Sequence, residues 1–212
     1  MAMSAPLAIR LLAAVLIMLP IVAASDARAD STSMTVQTGG TMTKLQKKQV
    51  AFAEKWGRAL FDAYNERGKV SDITMDRALA SATGAVTDKC DVHYRALLVI
   101  PPGISTDRLA VYYIGTPRNG AEVMLGRHYR IIVSGDGKTA QSVSPSTKDC
   151  TFVAPDVVGQ GTTGVVTTDP DIPAPTDIHV FLSLATGETL FVGTKAGYWR
   201  VMQGKIELLK SN

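Results

Sequence analysis

The chain reads as an α+β protein: one long N-terminal helix and one short helix, packed on an antiparallel sheet that ends in a β-meander. Three observations predict this. Apolar residues recur at steps of three, four and seven over 43–67. The hydrophobic period then changes from 3.6 to two in the strand-like runs that follow. Short β-branched and aromatic runs separated by glycine turns close the chain over 178–209. Helices first and strands afterwards is the order of a segregated α+β domain.

The elements follow in order. Residues 1–29 have the pattern of a secretory signal peptide: Arg10, an apolar run from Leu11 to Ala24, and Ala27-Arg28-Ala29 before Asp30. The run is about 14 residues, short of the roughly 20 that span a bilayer. The residue directly after the cleavage point is Asp30 rather than a cysteine, so a lipoprotein anchor is not expected. Residues 30–42, rich in Ser, Thr and Gly, predict a flexible mature N-terminus, and 43–212 a single domain.

Leu45, Phe52, Trp56, Leu60 and Tyr64 make one apolar face of the long helix, and Gly68 supplies a stop. Ser71 or Asp72 caps a short helix through Ala82, ended by Gly84. Strands are expected at 92–100, 108–115, 122–134 and 139–143. Pro101-Pro102-Gly103, Pro117 to Gly120 and Gly135-Asp136-Gly137 separate them. The Pro-, Gly- and Thr-rich stretch 153–177 predicts a long loop. The meander then runs 178–184, 189–193, 198–202 and 205–209.

Composition narrows the function classes. The 22 basic and 19 acidic residues leave a net charge of +3, too mild and too dispersed for a nucleic-acid partner. The two cysteines, Cys90 and Cys150, predict one disulfide in an exported protein. Its closed loop contributes roughly 4 kcal/mol in the chain-entropy model. No Cys-x-x-Cys exists to tune a redox pair.

No nucleophile elbow, zinc-protease helix, P-loop, dinucleotide fingerprint or EF-hand loop is present, so neither a cofactor nor a metal is expected. Any imidazole chemistry must use His93, His128 or His179, the chain's three histidines. Strand alternation places His93 with Arg95 on one face, and His128 with Arg130 on one face. On neighbouring strands these four would form a cationic patch for a carboxylate or phosphate, since arginine donates bidentate hydrogen bonds. The competing reading is the ordinary polar side of a half-buried sheet.

Asp177 lies beside His179, as an acid that orients an imidazole would, but the sequence places no nucleophile with them. Asp169, Asp171 and Asp177 offer oxygen ligands without EF-hand spacing. Tyr112-Tyr113 and Tyr198-Trp199 are aromatic pairs whose members must face opposite ways.

Two stretches carry a resemblance. One is Val123-Met124-Leu125-Gly126-Arg127-His128-Tyr129-Arg130 with the Ser-Gly-Asp-Gly turn after it. The other is Ile178-His179-Val180-Phe181-Leu182-Ser183-Leu184, followed by Leu190-Phe191-Val192-Gly193-Thr194 and Tyr198-Trp199-Arg200-Val201. Together they resemble uncharacterised exported proteins of proteobacteria over roughly the C-terminal half. The resemblance implies a Gram-negative periplasm and carries over no activity, cofactor or catalytic residue.

The expectation is therefore a non-enzymatic periplasmic or secreted binding module for an envelope ligand or partner protein, with no membrane anchor after cleavage. A small envelope hydrolase using His128 or His179 is the first alternative. A structural subunit that recruits a partner by edge-strand addition is the second. Ligand identity and oligomeric state are not encoded in any motif.

Overall fold

The computed structural model describes residues 40–66, 73–100, 107–117, 122–157 and 163–211, with the backbone alone for 156, 157 and 163. The signal-peptide assignment, the start of the mature chain, the Gly68 stop and the Ser71/Asp72 cap lie outside the described residues. Among these residues no helix is long and apolar enough to cross a membrane.

Helix α1 spans Lys44–Asn65. Thr43 and Gln46 cap it reciprocally: the Gln46 N–H donates to Thr43 Oγ1 at 3.2 Å, and the Thr43 N–H donates to Gln46 Oε1 at 2.8 Å. The predicted flexible start at 30–42 does not extend to its last residues. Met42 packs against the core. Gly40 lies so close to Leu208 that a Cβ there would approach its Cγ to 2.5 Å. Helix α2 spans Ile73–Ala85 and runs through Gly84 rather than stopping at it.

The first sheet has the order β1(His93–Val99), β2(Arg108–Thr116), β4(Tyr129–Ser134), β5(Ala140–Pro145), all antiparallel. The strand expected over 122–134 is broken into β3(Val123–Met124) and β4. The cause is local. Arg127 has a left-handed φ of 57°, and at Gly126 a Cβ would stand 1.9 Å from the Asp149 carbonyl oxygen. Arg127 cannot continue a strand with that φ, and only glycine fits at 126 beside the 147–151 segment. β3 pairs instead with β6(Phe152–Val153).

The second sheet has the order β11(Lys205–Ser211), β10(Gly197–Met202), β9(Thr189–Thr194), β8(Thr163–Asp169), β7(Asp156–Val157). The 153–177 stretch is thus not one loop. Thr163–Asp169 is β-branched and free of proline, and Pro170 ends it. β8 runs parallel to β9, which requires a crossover connection. Helix α3(Asp177–Thr186) supplies it.

Residues 178–184 are therefore helical, where alternation suggested the first meander strand. Ile178 through Ser183 are all buried. A helix buried on every side loses the polar face that betrays its period, and Ile178-His179-Val180 then mimics a period of two. The caps carry the helical signal: Thr176 at the start, and Gly187 with φ 76° at the end. The remaining meander, β9–β10–β11, is antiparallel as expected.

Residue identities define the layers. α2 covers one face of the first sheet through Ala78 and Ala82, with Val86 just past its end, against Val111, Ile131 and Val133. The opposite face contributes Leu97, Val99, Ala110, Tyr112 and Ile114 to a larger core shared with Trp56 and Leu60 of α1 and Val180 and Phe181 of α3. Leu190, Val192, Trp199 and Val201 of the second sheet join that core, so α1 and α3 lie between the sheets. The two helices approach closely at Gly57, where a Cβ would be 2.5 Å from the side chain of Val180. Cys90, before β1, is bonded to Cys150, after β5, with a Cα–Cα distance of 5.8 Å.

Candidate functional site

The four residues expected to form a cationic patch have separate environments. His93 is exposed at the start of β1, and its carbonyl accepts from Thr116 Oγ1 at 3.1 Å. Arg95 donates through Nη1 to the Tyr64 carbonyl at 2.7 Å, with its guanidinium 4.9 Å from the Tyr64 ring centroid. It satisfies a carbonyl in the last turn of α1. Arg95 lies opposite Ile114 on β1, and Arg130 lies opposite Tyr112 on β4, so central strand β2 separates them.

His128 is fully buried. Its Nδ1 accepts from the Gly115 N–H at 3.2 Å, and its Nε2 lies 2.7 Å from the Met124 carbonyl oxygen. Those partners require the neutral ring with the proton on Nε2. Burial pushes its pKa down to about 4, against a raising effect of the Met124 bond. Both nitrogens are occupied by backbone, which leaves none to accept a proton from a substrate.

His179 is the third residue of α3 and is also buried. Its Nδ1 accepts from the Thr176 N–H at 3.1 Å and lies 3.0 Å from Thr176 Oγ1. Burial, and secondarily the neighbouring His128, lowers its pKa to about 4. An imidazole of that basicity is a weak general base for the adjacent hydroxyl near neutral pH. The ring serves the helix cap.

Arg130 has a different setting. Its Nη1 is 3.2 Å from Asp177 Oδ2, and its guanidinium lies 5.6 Å from the Phe52 ring centroid. The Tyr112 hydroxyl donates to the same Asp177 oxygen. Tyr112 is fully buried and Asp177 is 6% exposed. Burial first, then the Asp177 charge, holds the Tyr112 phenol well above its ordinary pKa. Burial opposes the charge on Arg130, but Asp177 and Tyr112 outweigh it and raise the guanidinium pKa. Asp177 also accepts from the Ile178 N–H through Oδ1, at 3.2 Å. One carboxylate thereby joins β2, β4 and the first turn of α3, where a negative charge is favoured.

Arg130 and Asp177 sit in an open cleft of about 320 Å³. One wall is α1, with Lys48, Gln49 and Phe52. The other is the segment before α3, with Pro173, Pro175 and Thr176. Gln49 Oε1 is buried and has no hydrogen-bond partner among the described residues, an acceptor that carries a desolvation cost until a donor reaches it. The Arg130 nitrogens other than Nη1 have no carboxylate partner among the described residues. The cleft combines cationic donors, one free acceptor and an apolar floor. That set suits an anionic group carried on an apolar body.

Of the residues singled out in the sequence, Arg130 and Asp177 meet here. Lys48, Gln49 and Phe52 escaped notice because helical periodicity assigns Phe52 to the core, whereas it is 45% exposed. The three aspartates that offer oxygen ligands in the sequence, without the spacing of a calcium loop, serve other ends. Asp177 holds Tyr112 and Arg130, Asp169 accepts from the Asp171 N–H at 3.2 Å, and Asp171 faces Lys148 at 3.9 Å. Of the aromatic pairs, Trp199 is buried with Nε1 donating to Thr194 Oγ1 at 3.0 Å, while Tyr198 is 54% exposed.

In comparisons with known proteins, no family model, no curated protein and no solved structure matches the chain.

Proposed function

We propose that this protein is a non-enzymatic binding module, exported to the periplasm or secreted, whose ligand occupies the Arg130–Phe52 cleft. The observation that carries the reading is the Arg130 guanidinium, held over an aromatic ring and anchored through one nitrogen by Asp177. The anchor leaves further donors for a ligand carboxylate or phosphate. Phe52, Pro173 and Pro175 offer the apolar contact. Export is supported by the N-terminal pattern and by the Cys90–Cys150 bond, which belongs to an oxidising compartment.

Trp56, whose ring centroid is 5.4 Å from that of Phe52, reports on occupancy. Titration with decanoate, an anionic group on an apolar chain, should change its fluorescence saturably. Arg130→Ala should weaken that binding about ten- to hundredfold, and Phe52→Ala should weaken it without unfolding the chain. No saturable change, or an affinity in both variants equal to that of the parent, would sink the reading.

The hydrolase alternative has less support, because both buried imidazoles are committed to backbone or cap. Strand addition along β11 also has less. Exposed Lys205 and Lys210 line that edge, and a register shift at Tyr198/Trp199 distorts its pairing.

A further inference from the structure

The outer face of α1 holds more apolar surface than a solvated helix needs. Leu45 is 64% exposed and Phe52 is 45% exposed, although both lie on the apolar stripe that Trp56 and Leu60 continue into the core. Seven residues apart, they stand about 10 Å from each other along one side of the helix. Lys48 falls between them at helical spacing, and Lys44, four residues before Lys48, shares its side of the helix.

Charge on this stretch is one-sided. Up to Arg58, α1 carries Lys44, Lys47, Lys48, Lys55 and Arg58 against the single acid Glu54, and all five cations are exposed. Glu54 and Arg58, one turn apart, both turn towards the β10–β11 hairpin, where Arg58 Nη2 donates to the Gln203 carbonyl at 3.5 Å. Glu54 Oε2 binds Lys205 Nζ at 2.8 Å and its Oε1 accepts from the Ile206 N–H at 3.0 Å, both on β11. The flank beside Leu45 and Phe52 carries Lys44, Lys48 and Lys55 at helical spacing and no acid up to Arg58. Phe52 and Lys48 continue it into the cleft where Arg130 lies.

We propose that this face docks on a bilayer surface bearing anionic lipids. Leu45 and Phe52 enter the interface between headgroups and acyl chains, and the α1 lysines meet lipid phosphates. Exposed apolar side chains beside a lysine row are the arrangement of an interfacial amphipathic helix. The opposite face of α1 stays in the core, so docking requires no unfolding. The surface goes beyond the cleft reading: it shares Lys48 and Phe52 with the cleft but stands without a ligand there.

The test is co-sedimentation of the full chain, as its host processes it, with vesicles of phosphatidylcholine and phosphatidylglycerol at 3:1, and with phosphatidylcholine alone. Binding is expected only to the anionic vesicles, and high salt should weaken it. Lys44→Gln and Lys48→Gln should each reduce affinity about fivefold. Leu45→Ser and Phe52→Ser should each reduce it about tenfold. These side chains are exposed, so circular dichroism should be unchanged.

Equal binding to neutral vesicles, no loss in these variants, or no vesicle binding at all would overturn the proposal. Binding to poly-glutamate without binding to vesicles would overturn it in favour of an acidic protein partner. Decanoate binding at Trp56 without vesicle binding would overturn it and leave the cleft reading intact. Vesicle binding without a decanoate response would uphold it and remove the cleft reading.

Discussion

The Gly115 N–H donates to Nδ1 of His128 at 3.2 Å, and the other ring nitrogen, Nε2, donates to the Met124 carbonyl at 2.7 Å. A second proton on Nδ1 would set two donors against each other inside a fully buried site. His179 repeats the logic, with Nδ1 accepting from the Thr176 N–H at 3.1 Å. Besides burial, the neighbouring His128 also disfavours a charge on His179.

Acid should therefore destabilise the fold in a defined window. Both histidines have a folded pKa of about 4, below the ordinary 6.5. Between those values the unfolded chain binds more protons, so stability is full above about 6.5 and falls as pH drops towards 4. Each ring accounts for about 3 kcal/mol across the window. Denaturant midpoints measured at pH 7.5 and 4.5 should differ accordingly. His128→Gln, which can both accept and donate, should flatten part of the difference. A midpoint constant across that range would contradict the assignment.

Tyr112→Phe removes the phenolic donor from Asp177 at a fully buried position. The carboxylate keeps Arg130 and the Ile178 N–H, so the fold should survive with a loss of about 1.5–3 kcal/mol. Urea unfolding measures this directly. The decanoate response at Trp56 should weaken too, because Asp177, and with it Arg130, would lose one of the groups that fix its position. An unchanged midpoint would mean that the hydrogen bond contributes nothing net.

Gly57→Ala opposes two effects. Alanine is the better helix former by about 1 kcal/mol. Its Cβ would stand 2.5 Å from the Val180 side chain and 2.6 Å from the Asp177 carbonyl oxygen. Val180 is β-branched and cannot swing aside easily, and the carbonyl is backbone, so the clash should win. We expect a net loss of about 1–3 kcal/mol, read as a lower denaturation midpoint. The same shift should displace Asp177 and weaken decanoate binding.

How much of this was legible beforehand depended on how exposed each element's signal was. α1 was readable because it keeps a polar face, and β9 to β11 because glycine turns punctuate them. α3 was misread because burial on every side erased its period. β8 was hidden by prolines that flank it without entering it. Half of the cleft was visible in Arg130 and Asp177, but their pairing depends on β4 and the start of α3 meeting in space, 47 residues apart in the chain. Lys48 and Phe52 carried a helical signal that says nothing about which end of the apolar stripe is covered.

The Cys90–Cys150 bond closes a 60-residue separation that contains all four strands of the first sheet. It joins the approach to β1 with the exit from β5, two strands at opposite edges of that sheet. Other contacts already hold the same region. Tyr94 Oη accepts from the Cys90 N–H at 3.2 Å and donates to the Arg127 carbonyl at 3.0 Å. The Arg127 guanidinium pairs with Asp88 and donates to the Lys148 carbonyl. The bond should therefore act mainly on the unfolded chain, by restricting its loop, and be worth roughly 4 kcal/mol. The double variant Cys90→Ser/Cys150→Ser should stay folded at 25 °C, with a lower denaturation midpoint and an unchanged near-ultraviolet spectrum. Alkylation of the native protein without reductant should label neither cysteine. Two labelled thiols would remove the bond, and a double variant as stable as the parent would show that the Tyr94–Arg127 contacts alone secure the join.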